Sequence, residues 1–497
     1  MFDPSKPRPK TSMPMFRIIQ LVMNGLRPAF TREIPYYWFG TGLYSLLFGN
    51  QINGVQSMIN ALDLSDNSYY GLDRMYRSSA INLPLLRKLW LQTIVTMSSP
   101  LMYSNMRILI GDGSKSSKEA RKMPGVCRLH NNSDTQSKPS SYHGIQGGGI
   151  SILVKGGPNS CNPNEVYCIP ISMELNYGLD PISDWANTPH PDAAESLETQ
   201  MLNRQKEYMA LLGPTLTIQD RASMAQNLFA ETEQMRKDNI ETYLLTNARI
   251  DCKAYEEPVR KPGAGRPPKR GKGVKVATLF ETRKDDFKTG KRFFYGKEQT
   301  FQYLAVQLRW GDKWNGKLLF VLAVLEDGRR IILATDKLDM DPCDAVELYA
   351  YRFLIEEGFR QYKQEFAGMN YHFWTKAMEH LSHFRKKEEG HILDEATTEE
   401  QREKILAAIK AAEVYMEISC IAQGITQLIS MDQPIDGTVQ QFTRKRTNTH
   451  RKVSERDIRN FLHEKRELFW TKYKDDPIVK FIRDRQVFQA QAEWAAL

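Results

Sequence analysis

Long apolar runs are missing from this 497-residue sequence. Stretches such as Leu319–Leu325 fall far short of the roughly 20 residues that cross a bilayer, so no membrane-spanning segment is expected. The first residues, Met1–Thr11, are rich in proline and lysine and carry no apolar signal core, which argues against secretion. Cysteine is sparse: the six thiols form no C-x-x-C pair, and a disulfide frame or a zinc knuckle is excluded. No repeat of 20 to 50 residues marks a solenoid. A reduced, cytoplasmic, globular chain of about three domains remains.

Charge is present, and unevenly spread. Lys and Arg number 68 against 59 Asp and Glu, a net charge of +9. Arg260, Lys261, Arg266, Lys269, Arg270, Lys272 and Lys275 lie within one acid-free segment. A concentrated cationic segment on a near-neutral body points to a polyanion, with nucleic acid first. Prolines and glycines crowd the same segment, so Glu256–Gly273 reads as loop.

The texture divides the chain. Residues 1–100 read as a helical, DNA-binding region in which Val55–Leu62, a turn at Asp63-Leu64-Ser65 and a helix to about Arg77, capped by Asp66 or Asn67, outline a helix-turn-helix. Residues 101–250 alternate strands and helices. Arg107–Ile110 runs into Gly111-Asp112-Gly113; Ile150–Val154, Val166–Met173 and Thr215–Ile218 are further strands, the last running into Gln219-Asp220. Asp192–Leu212 reads as a helix ended by Gly213, and a helix near Met224–Met235 precedes a strand near Thr242–Leu245. Residues 251–325 are β-rich, with a hairpin of Phe301–Arg309 and Lys317–Leu325. Residues 326–370 hold the strand Arg330–Ala334 and a helix opened by Asp341 and Pro342. Residues 371–497 read as mostly helical, with a capping box from Thr398 to Gln401.

The helix from Asp341 carries the chemistry. At 100° per residue, Leu348, Tyr351, Ile355, Phe359, Tyr362 and Phe366 fall within a stripe about 80° wide, the buried face. Tyr349, Arg352, Glu356 and Lys363 form a second, polar stripe beside it. As a solvated face it would hold an Arg352–Glu356 pair contributing only a few tenths of a kcal/mol.

The spacing Tyr349-x2-Arg352-x3-Glu356-x6-Lys363 resembles the signature of a large group of DDE-type insertion-sequence transposases. Asp112 after the first strand, Asp220 after the fourth and Glu356 on a later helix follow that group's order of acids. The resemblance spans roughly residues 50 to 370. It implies an α/β fold: a ribonuclease-H-like mixed-sheet catalytic core with a β-rich insertion, flanked by helical terminal regions. It further implies cut-and-paste transposition, in which water frees a 3′-hydroxyl at the transposon end and that hydroxyl attacks target DNA. Asp112, Asp220 and Glu356 would be the catalytic and metal-holding residues, with two Mg²⁺ ions (Mn²⁺ able to substitute) roughly 3.5–4 Å apart. Asp112 is expected to bridge both ions, Asp220 and Glu356 to hold one each. Hard cations favour such carboxylate oxygens.

By the same resemblance Tyr349, Arg352 and Lys363 would grip phosphates of the transposon end. Gly265-Arg266-Pro267, with Lys269 and Arg270, is the core of an AT-hook-like element suited to a narrow minor groove. Trp310 and Trp314 stand in the module where some relatives hold a flipped base on a Trp, although neither has the family's spacing to the Glu. Lys115, Lys118, Arg121 and Lys122, His143-Gly144, and the basic patch from Arg444 to Lys452 are further candidate contacts. A homodimer on end and target DNA, in the nucleoid, is expected from joining two ends. Two other functions fit the same residues. One is a metal-dependent structure-specific nuclease or resolvase on the same fold, the other a non-catalytic DNA-binding protein.

Overall fold

The computed structural model describes residues 14–50, 52–131, 139–156, 165–259, 268–382, 384–432 and 452–487. It is an α/β structure around one mixed sheet, with helices at both ends of the chain. The first half of the sheet is built from β1 (Met106–Ser117), β2 (Ser141–Lys155), β3 (Val166–Leu175), β4 (Thr215–Ile218) and β5 (Thr242–Asn247). β2 pairs antiparallel with β1 and β3, whereas β1–β4 and β4–β5 are parallel. The spatial order is β3-β2-β1-β4-β5. Ile108, Leu109 and Ile110 of β1 and all of β4 are buried, the near-continuous apolar pattern of strands covered on both faces.

β6 (Lys288–Phe294), β7 (Lys297–Trp310), β8 (Gly316–Val324) and β9 (Arg330–Thr335) form an antiparallel meander. It joins the first half through β9 against β5. The stretch 251–325, read from sequence as a module of its own, is thus an extension of the central sheet. Two-residue periodicity sorts its side chains: Leu319, Val321 and Ala323 face one core, Leu318, Phe320 and Leu322 the other.

Helices α1 (Pro14–Leu26), α2 (Glu33–Phe48), α3 (Val55–Ala61), α4 (Ser68–Tyr76) and α5 (Leu83–Met97) precede the sheet. Helices α6 (Leu197–Leu212) and α7 (Gln226–Lys237) contribute to the core on one face, and α8 (Pro342–Ala350) and α9 (Phe353–Gln364) to that on the other. The C-terminal part holds α10 (Glu399–Asp432), α11 (Glu455–Glu464), α12 (Arg466–Lys472) and α13 (Pro477–Arg483). α10 is 34 residues long and buried along most of its length. It packs on β3 and against α1, α2, α4 and α5. The two terminal regions therefore share a single helical core, continuous from Phe16 to Ile482. Among the described residues no helix is long and apolar enough to cross a membrane.

Several sequence expectations shift. The helix read from Asp192 begins at Leu197, because Ser196 caps it by accepting from Thr199 N at 3.3 Å. The helix read as continuous from Asp341 is two, α8 and α9, tightened at Tyr351 and Arg352 by bonds reaching back three residues. Residues 371–398, read as part of a mostly helical stretch, hold among the described residues only short 3₁₀ turns at Lys387–Glu389 and Ile392–Glu395. The Asp341 cap and the Thr398–Gln401 box form as read. So do α3 and α4, yet Asn67 makes no side-chain cap.

Candidate active site

Register positions the first two acids. Ile110 of β1 lies opposite Ile218, the last residue of β4. Asp112 and Asp220 each follow two residues later, so the parallel pairing brings them side by side at the carboxyl end of β4. Successive side chains alternate, and Asp112 shares the face of Ile108 and Ile110, which packs against Leu348 and Ile355 of α8 and α9. Glu356 is carried to the same place by α9.

Asp112, Asp220 and Glu356 line one open cleft of about 550 Å³ together with Gly113, Ser114, Arg352, Phe359, Arg360, Lys363 and Gln364. Asp112 lies within the long strand β1 instead of at its end, as the Gly-Asp-Gly run had implied. Pairing with β4 stops at Ile110, however, so its carboxyl stands free of that neighbour. Its cross-strand neighbour on β2 is Gly149. A Cβ at Gly149 would lie 2.6 Å from the ring of Phe359, so only glycine lets this part of α9 settle on the sheet beside Asp112.

The cleft sets three carboxylates, Asp112, Asp220 and Glu356, against three cations, Arg352, Arg360 and Lys363. The Asp112 carboxyl is pushed up to about 6, first by burial and further by Asp220 and Glu356, against the pull of Arg352. Its Oδ1 accepts from Gly113 N at 2.7 Å, and its Oδ2 accepts from Arg352 Nη1 at 2.9 Å. The other guanidinium nitrogen, Nη2, donates to Glu356 Oε1. One cation thus spans two of the three acids. Asp220 uses Oδ1 to accept from Ala222 N at 2.9 Å, capping the turn Arg221–Ser223.

Tyr349 is half-buried, with Arg352 over its ring at 5.9 Å. Lys363 Nζ donates to the Lys115 carbonyl at 3.3 Å, and burial lowers its pKa. The polar stripe thus converges on the acids.

Other candidates lie apart. Trp310 and Trp314, expected to contact DNA, pack instead on α7 and do not line the cleft. Trp314 stacks on Phe229 at 5.5 Å and donates Nε1–H to Glu233 at 2.7 Å. Trp310 meets the same Phe229 edge-on at 5.8 Å. The reason is Gln226, whose Oε1 accepts from Asp312 N and Lys313 N, each at 2.8 Å, and folds the loop down. Arg270 is paired with Asp312 at 2.6 Å and covers Tyr255, while Lys269 is exposed. Arg266 and the Gly265-Arg266-Pro267 element lie outside the described residues, as does the basic patch from Arg444 to Arg451.

A second grouping was not legible in sequence. Glu174, His190 and Glu413 bring donor atoms within 4.8 Å of one another, a spacing that could hold a metal ion. They border a larger cleft of about 870 Å³. Arg87 Nη1 lies 2.9 Å from Glu174, however, and Arg204 pairs with the same carboxylate. Arg204 Nη2 also sits 3.1 Å from His190 Nδ1. A guanidinium only donates, so that nitrogen accepts and the ring proton falls on Nε2, facing Glu413 at 2.9 Å. A protonated Nε2 is no metal ligand. The group reads as an internal ion-pair network tying α5, β3, α6 and α10 together.

Neither the protein-family models nor the curated proteins include a match to this chain.

Proposed function

We propose that this chain is a DDE-type transposase with a ribonuclease-H-like core, cutting transposon ends and joining them to target DNA. The observation that carries the reading is the meeting of Asp112, Asp220 and Glu356 in one cleft from segments more than a hundred residues apart. The strand order β3-β2-β1-β4-β5, antiparallel then parallel, supports the ribonuclease-H-like assignment. So does the site's position beyond the carboxyl end of β4.

The donor set fits two Mg²⁺ or Mn²⁺ ions: the three acids offer hard carboxylate oxygens, and two of them already bind a cation, the Arg352 guanidinium. When bound, such ions supply an activated water and stabilise the leaving oxygen. Asp112, which interacts with both other acids, would hold the ions together with Asp220 and Glu356. Lys363 and the Tyr349–Arg352 pair would hold the strand in register by its phosphates. Joining two ends calls for a dimer on DNA, and a nucleoid location follows from the substrate.

Sequencing the DNA that flanks the gene for inverted repeats is the first step, and a duplex of such a repeat is the test substrate. Asp112→Ala, Asp220→Ala and Glu356→Ala are each expected to lower Mg²⁺-dependent end cleavage by at least roughly 10²–10³-fold, the scale of losing one charge-stabilising group. End binding should persist. Full cleavage by Glu356→Ala protein would overturn the assignment. Joining of pre-cut ends separates a transposase from a nuclease that only cuts.

A further inference from the structure

Asp112 sits inside a strand paired with β2, but Asp220 stands two residues past the end of β4. No ladder of its own holds it, yet a metal-holding carboxylate has to stay within about half an ångström of its place. Three polar side chains surround its backbone instead: Gln219, Ser223 and Thr246, each buried.

The Asp220 carbonyl accepts twice, from Ser223 N at 3.2 Å and from the hydroxyl of Thr246 on β5. Gln219 N donates to the Leu245 carbonyl at 3.1 Å, which carries the β4–β5 pairing one residue further. The Gln219 side chain turns inward, and its Oε1 accepts from Ser223 Oγ at 2.5 Å, closing the turn from beneath. Because Asp220 Oδ1 itself accepts from Ala222 N in that turn, fixing the turn also aims the carboxylate. The cluster reaches the strand of the other aspartate as well. A Cβ at Gly111, next to Asp112, would lie 3.2 Å from Gln219 Nε2 and 3.0 Å from Gln205 Nε2, and glycine leaves these amides their room.

A buried hydroxyl is costly unless it is hydrogen-bonded, and on the central strand β5 a Val would fill the Thr246 position equally well. The Thr246 hydroxyl serves the turn that carries Asp220, not its own strand. Mg²⁺ demands near-ideal octahedral geometry at short bonds, whereas the larger Mn²⁺ tolerates a displaced ligand.

We propose that Thr246, Gln219 and Ser223 are positioning residues that hold Asp220 firmly enough for the carboxylate cleft to accept Mg²⁺ as well as the more tolerant Mn²⁺. This rests on the function proposed above, in which Asp220 holds a metal.

The test reads binding as well as cleavage, on the full chain. Mn²⁺ bound to the DNA-free protein is followed by electron paramagnetic resonance, and Mg²⁺ is titrated in to displace it. Thr246→Val, nearly the same shape without the hydroxyl, should melt within about 4 °C of wild type, the scale of one lost hydrogen bond. It is expected to raise the Mg²⁺ needed for displacement about tenfold, the lower end of what removing a group behind a metal ligand does. Mn²⁺ affinity should stay within about threefold, because that ion is the less demanding. End cleavage should show the same split, poor in Mg²⁺ and near wild type in Mn²⁺. Thr246→Ser keeps the hydroxyl and should behave as wild type, while Ser223→Ala should repeat the Thr246→Val pattern. A wild-type Mg²⁺ titration in either Thr246→Val or Ser223→Ala overturns the inference. So does a loss equal for both ions, the mark of a purely structural role, or a Thr246→Ser protein as impaired as Thr246→Val. A wild-type protein that binds both ions but cuts no end DNA overturns the proposed function alone; one that binds neither overturns both.

Discussion

Arg352 is asked to do two things that cannot both happen at once. In the structure its guanidinium is bonded to Asp112 and Glu356, where divalent cations would sit. On substrate it would turn to phosphate. A cation held between two carboxylates competes with any other cation for the same oxygens. Removing it should therefore strengthen metal binding and weaken DNA binding. Arg352→Gln is expected to tighten Mn²⁺ binding in the DNA-free protein about tenfold, or about 1.4 kcal/mol, measured by electron paramagnetic resonance. The same variant should bind end DNA less tightly and with a shallower salt dependence. Unchanged or weaker Mn²⁺ binding would show that the guanidinium does not occupy the metal's place.

At the scale of elements, Glu356 reaches Asp112 because β2 offers no side chain where α9 crosses it. Gly149→Ala would put a methyl carbon 2.6 Å from the Phe359 ring, and overpacking of this kind costs about 1–3 kcal/mol. The expected result is a folded protein with reduced end cleavage, restored in part by adding Phe359→Leu, which shortens the opposing side chain. Equal cleavage by Gly149→Ala would mean that α9 tolerates the shift. This contact also marks the limit of what was legible in the sequence. Asp112, Asp220 and Glu356 were picked out through the family resemblance carried by the local spacing on the Glu356 helix, and the strand-end placement read for Asp112 did not hold, because β1 runs on to Ser117. Of the stripe read as the buried face, Leu348, Ile355, Tyr362 and Phe366 are buried, whereas Tyr351 and Phe359 are half-buried and Phe359 lines the cleft. What holds Gly149 against Phe359, or turns Trp314 onto Phe229, is a pairing of distant segments with no mark in either one. The ion-pair group of Arg87, Glu174, His190, Arg204 and Glu413 was hidden likewise. Its members are single polar residues in unrelated helices, strands and loops.

Across the whole molecule, the helices before and after the sheet share one core, so the protein's stability should respond to acids packed within it, Glu455 half-buried and Glu417 fully buried. Glu455 begins α11 and accepts from Gln427 Nε2 at 2.7 Å and from Gln423 Nε2 at 3.1 Å, both on α10. Burial pushes its carboxyl up to about 7, against those hydrogen bonds and the charge of Lys452. The sign follows from proton counting. Below the ordinary carboxylate range of about 4.5 the group is protonated in both states. Between that value and about 7 the folded state keeps a proton that the unfolded chain has lost. Stability from this group is therefore full in acid and declines as pH rises through that window, by at most about 1.4 kcal/mol per unit. Glu417, on α10 itself, is likewise raised to about 7 by burial and adds a decline of the same sign. The expected observation is a urea midpoint that falls between pH 5 and pH 8, with Glu455→Gln flattening the slope by about one proton's share. Salt should be held high enough to screen the surface charge, whose relief on raising pH acts in the opposite direction. A Glu455→Gln protein with the wild-type slope would place that proton elsewhere, with Glu417→Gln the next variant to measure.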